Sequence, residues 1–125
     1  MLAPRGGEGK YPGVKVRNNG STNLPPQTVV ASLPSGFRWG GPNEPDHQLT
    51  VRAGNRDNVV HVGALSANGT VLTFKDVDLL VGDAAGTESI MWVCVSATED
   101  ARTGAATVSF TVGDQTSPST TINVT

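Results

Sequence analysis

Residues 18–39 read NNGSTNLPPQTVVASLPSGFRW, and this stretch decides the fold class. Asn18-Asn19-Gly20 closes whatever precedes it, because Asn and Gly accept positive φ cheaply. Pro25-Pro26-Gln27 blocks ladder hydrogen bonds and marks where a strand can begin. Val29, Ala31 and Leu33 then share one face of an extended run. Pro34-Ser35-Gly36 is a turn. Phe37 and Trp39 open a third strand on one face, with Arg38 on the other. Three short strands with turn residues between them, and no 3.6-residue period, predict a β-fold.

The same pattern continues outward. Val14 and Val16 alternate with Lys15 and Arg17, a half-buried strand before the opening stretch. After it come the long turn GGPNEPDH (40–47) and alternation through Leu49 and Val51. Val60 and Val62 are opposed by His61. Asn68-Gly69 predicts a two-residue type I′ hairpin turn, followed by Leu72 and Phe74. IMWVCV (90–95) is apolar on both faces, the mark of a strand covered on both sides. Val108, Phe110 and Val112 alternate cleanly, and Ile122 and Val124 face alike. The count is seven to nine short strands with turn signals about ten residues apart, the pattern of an antiparallel β-sandwich or barrel.

The chain has 125 residues, one domain by length. The first ten, Gly-rich and charged, read as a disordered lead-in, with the sandwich over 11–125. Net charge is −2, which is not the basic footprint of a nucleic-acid binder. No run approaches a membrane span of roughly 20 apolar residues. MLAPRGGEGK lacks the apolar core of a signal peptide. Cys94 is the one cysteine, so no internal disulfide forms. In its apolar run it reads as a small buried hydrophobe rather than a nucleophile.

The stretch VKVRNNGSTNLPPQTVVASLPSGFRW resembles the opening of the Ig-like repeat domains of secreted and cell-surface bacterial proteins, especially actinobacterial ones. VDLLVGDAAGTESIMWVCVSATEDARTGAATVSFTVG resembles their ending. The resemblance covers roughly residues 11–125 and implies an Ig-like sandwich. It further implies a non-catalytic structural or interaction module at an extracellular bacterial surface. The alternatives are an accessory carbohydrate-binding module of a secreted enzyme and an Ig-like virion-surface domain. The chain departs from the bacterial family pattern mainly in the long 40–47 insert, and from an antibody-type domain in lacking the paired cysteines and the tyrosine corner.

No residue set selects a reaction. No nucleophile elbow or phosphate loop is present, and nothing pairs Glu44, Glu88 or Glu99 for glycoside hydrolysis. We therefore expect no enzyme activity and no cofactor. Asp76, Asp78 and Asp83 lack the close alternating spacing of a calcium loop. The sequons at Asn19, Asn68 and Asn123 are better read as turn and strand-end residues. Candidate ligand-binding residues are Arg38 and, on the insert, Glu44, Asp46 and His47. The expected partner is a protein or polysaccharide, without nucleic acid or membrane insertion. Trp39 is expected in the core. On 90–95 one face carries Ile90, Trp92 and Cys94; the other carries Met91, Val93 and Val95. The second set is expected to be covered by a loop or by another copy, and so to be a candidate interface.

Overall fold

The structure, a computed structural model, describes residues 1–20, 24–54, 56–81, 87–116 and 120–125. Asp83 and the third position of the Asn19 sequon lie outside these residues. The strands are β1 (Leu2–Ala3), β2 (Gly13–Asn18), β3 (Gln27–Ser32), β4 (Phe37–Trp39), β5 (Gln48–Arg52), β6 (Val59–Val62) and β7 (Ala64–Leu65). They continue with β8 (Val71–Val77), β9 (Thr87–Val93), β10 (Val95–Ala97), β11 (Gly104–Val112), β12 (Gln115–Thr116) and β13 (Thr120–Val124). The expected all-β sandwich is what the chain forms. The thirteen described elements exceed the expected seven to nine partly because the run 90–95 is interrupted at Cys94, and because β1, β7 and β12 are two residues each.

One sheet has the order β1-β13-β11-β3-β8-β7, with β12 folded back on β11. The other has the order β2-β9-β5-β6, and β10 pairs with β4 alongside it. Thus β2 lies beside β9, β3 beside β8 and β5 beside β6, all antiparallel. This is a long hairpin folded over on itself, with successive pairs falling in alternate sheets. β11 and β13 then add an antiparallel hairpin to the first sheet, on the free side of β3.

The inner faces meet in one core. Val29 and Ala31, Leu49 and Val51, Leu72 and Phe74, and Val108 and Phe110 are all fully buried, on the alternation read from the sequence. Trp39 is 5% exposed, as expected of a core residue, and its Nε1 donates to the Gly69 carbonyl at 3.1 Å. The apolar body is buried while the one polar atom finds a partner.

Three expectations need correction. Met91, Val93 and Val95 are not an interface: they are 0%, 1% and 0% exposed and belong to the core. The outward face of β9 carries Ile90 and Trp92 instead. The register settles this, since Met91 lies opposite Val51 and Val14, both on inward rows. The first ten residues are not a disordered lead-in. β1 runs parallel to β13, Ala3 is buried in the core, and Lys10 exchanges two backbone bonds with Val95. A Gly-rich segment gives no alternation to read, yet its backbone groups still complete a sheet edge. The Asn68-Gly69 hairpin joins β7 to β8, but not by a two-residue type I′ turn. Of those two residues only Gly69 has positive φ, +76°, and Ser66 N–H bonds the Val71 carbonyl across a longer loop. Asn68 Oδ1 instead accepts from Thr70 N and Oγ1, a local side-chain bond that competes with the tighter turn.

Candidate binding cleft

The insert 40–47 leaves β4, loops outward and returns as β5. Gly40, at φ +89°, makes the first bend; a Cβ there would strike the Glu44 carbonyl. Gly40 N–H bonds the Cys94 carbonyl at 2.8 Å and Gly41 N–H bonds the Glu44 carbonyl at 3.0 Å. Asp46 Oδ1 accepts from Gln48 N–H at 2.9 Å, and the His47 carbonyl accepts from Gly63 N–H at 2.8 Å. The insert is thus fastened to Cys94 at the break between β9 and β10, to its own far end and to the β6–β7 corner.

Beneath it lies a cleft of about 580 Å³ whose lining includes Tyr11, Glu44, Asp46, His47, Gln48 and Cys94. Three of the four candidate ligand residues, Glu44, Asp46 and His47, are therefore brought together. Arg38 is not in this cleft. It sits on β4, where its Nε donates to Ser96 Oγ at 3.1 Å, and it lines a second hollow of about 430 Å³ with Glu44 and His47. The insert is a ridge between the two concavities, presenting Glu44 and His47 to both.

Cys94 forms part of the floor, 8% exposed. Gly9 packs so closely on its sulfur that a Cβ there would strike it. Burial pushes the thiol above its ordinary value, the Asp46 charge adds to this, and a hydrogen bond with Tyr11 partly offsets both. The Tyr11 phenol is raised too, first by the Cys94 charge and then by their hydrogen bond. A thiol held protonated is a poor nucleophile, so nothing here activates Cys94. Among the described residues no group of three His, Cys, Asp or Glu side chains is placed to hold a metal ion. Asp78 caps its own turn by accepting from Leu80 N–H.

Sequence reasoning missed Tyr11. It lies 60% exposed between Lys10 and Pro12, with no alternation to place it. Tyr11 lines the cleft and also a shallower apolar hollow with Gly13, Val14, Lys15, Ile90 and Trp92. Gly13 lies opposite Trp92, and a Cβ there would strike the Met91 carbonyl. The missing side chain leaves room beside the Trp92 ring. Two aromatic rings and a polar cleft therefore run together across the outer side of the β2-β9-β5-β6 sheet.

No family model matches the chain, and no curated protein matches it. Among solved structures it is similar to AvmM, described as catalysing macrocyclization in alchivemycin A biosynthesis. The two are 11% identical, the match covers 96% of this chain and 80% of AvmM, and the TM-score is 0.42. A likeness of that size carries no argument about activity.

Proposed function

We propose that the chain is a non-catalytic interaction module, displayed on an extracellular bacterial surface, that holds its partner in the cleft beneath the 40–47 insert. The surface setting rests on the resemblance to bacterial Ig-like repeat domains. The binding role rests on one observation: Tyr11 stands exposed between the Glu44–His47 cleft and the Trp92 hollow. An amphipathic ring there offers contact area at low entropic cost, with polar groups close by to fix orientation.

The same observation favours a second reading, an accessory carbohydrate-binding module. Flat aromatic faces suit the C–H faces of sugars, while Glu44, Asp46 and Gln48 can take up hydroxyl hydrogen bonds. The test is retention on insoluble polysaccharides and on bacterial cell-wall preparations, run in parallel with Tyr11→Ala and Glu44→Gln/Asp46→Asn variants. Retention by a glycan that drops at least roughly tenfold in the variants supports the carbohydrate reading. Retention by the protein fraction of the wall, lost in the same variants, supports the protein partner. Binding indifferent to all three changes removes the cleft from the account.

A further inference from the structure

The strand β6, whose Val62 also borders the cleft, carries an inference that does not depend on what the cleft binds. β6 is an edge strand: among the described residues it pairs, within its sheet, only with β5. Its four residues, VVHV, include no Lys, Arg, Asp, Glu or Pro. Val60 is 50% and Val62 75% exposed. The opposite edge of the same sheet, β2, follows Pro12 and presents exposed Lys15 and Arg17, the usual protection against edge pairing. The outer strands of the other sheet, β1 and β7, are two residues each. β6 is thus the longest unprotected edge among the described residues.

The hydrogen-bond parity of β6 shows what its edge offers. Gly63 N–H bonds the His47 carbonyl, and the register continues as Gln48↔Val62, Leu49↔His61, Thr50↔Val60 and Val51↔Val59. In an antiparallel pair, bonded and non-bonded positions alternate. Gly63, His61 and Val59 therefore turn their backbone groups to β5. Val60 and Val62 turn theirs outward, each with one N–H donor and one C=O acceptor. These groups and the uncharged valine side chains make the edge complementary to itself in the antiparallel sense.

We propose that β6 is a homotypic docking edge, pairing antiparallel with β6 of a second copy about a two-fold axis at Val60. The two β2-β9-β5-β6 sheets then run on as one eight-stranded sheet. Each Val60 exchanges both its backbone bonds with Val60 of the other copy, and the outward valine side chains meet across the axis. An isologous contact of this kind closes at two copies. No like charges face each other along the strand, which is why a second copy suits this edge. The contact is short, below the area of a standard stable interface, so association is weak, with a dissociation constant on the order of 10⁻⁴ M.

Sedimentation equilibrium and amide hydrogen exchange over a concentration series test the proposal. The parent chain shifts from monomer to dimer, and the amides of Val60 and Val62 become protected as concentration rises. Val60→Lys places like charges opposite each other at the axis and weakens dimerisation at least roughly tenfold. Its melting temperature is unchanged because the side chain is already half in solvent. Ile90→Lys, on the outward face of β9 away from the edge, dimerises as the parent does. A parent that stays monomeric at about 1 mM, or a dimer that survives Val60→Lys, overturns the proposal. So does a dimer abolished by Ile90→Lys alone, which would put the contact on the sheet face, and so does capture of an unrelated extended peptide with no self-association.

Discussion

Cys94 keeps its proton because burial and the Asp46 carboxylate both penalise a thiolate. This residue-scale fact has a consequence for stability. A folded-state value above the unfolded one of about 8.5 means that the native chain holds a proton the unfolded chain gives up. The stabilising contribution is whole below the unfolded value and is lost as pH rises through the folded one. The parent should therefore lose stability as pH rises above the ordinary thiol value of about 8.5. Cys94→Ala should flatten that fall, since the Cys94 charge is also the largest cause of the Tyr11 shift. Denaturant midpoints at pH 7 and pH 10 check this, and parallel slopes for parent and variant would refute it. Thiol reagents should label Cys94 slowly in native protein and quickly in denaturant, as its 8% exposure requires.

β9 shows how an element can be read in period yet misassigned in phase. Its alternation is plain: Ile90 and Trp92 share one side, Met91 and Val93 the other. Both sides are apolar, so composition does not choose between them. The register chooses, placing Leu49 opposite Val93 and Val51 opposite Met91, where their side chains meet the facing sheet. β6 poses the same problem in reverse, with His61 half-buried and its valines outside. Trimming each side of β9 tests the assignment. Val93→Ala should cost about 2 kcal/mol through lost burial and an unfilled cavity. Ile90→Ala, already 43% exposed, should stay within about 0.5 kcal/mol of the parent. Chemical denaturation gives both numbers, and the reverse ranking would overturn the register.

At the scale of the whole molecule, the amino-terminal segment closes the sandwich. Asn123 N–H bonds the Met1 carbonyl, Thr125 N–H the Ala3 carbonyl, Arg5 N–H the Thr125 carbonyl and Gly6 N–H the Ala97 carbonyl. The first two of these tie it to β13, and the last carries it across to β10 in the facing layer. Removing residues 1–6 should then lower stability by on the order of 3 kcal/mol, from four backbone bonds at about 0.5–1.5 kcal/mol each and the loss of buried Ala3. A truncated chain with an unchanged melting temperature would show that these bonds contribute nothing.

The sequence by itself determined that this chain is a β-sandwich, where most of its strands lie, and that Trp39 and the paired faces of β3, β5, β8 and β11 are core. Local alternation and turn chemistry suffice for that, because each strand's two-residue period is written in its own residues. It also singled out the insert with Glu44, Asp46 and His47. What only the tertiary structure decided is relational. The strand order of the two sheets depends on which strands pair across dozens of residues, and no local pattern encodes that. Which apolar side of β9 faces inward follows from those pairings. Tyr11 joins the cleft because β2 lies beside β9, and Arg38 is kept from it because β4 pairs with β10. The sequence names the residues that can bind; long-range strand pairing decides which of them share a surface.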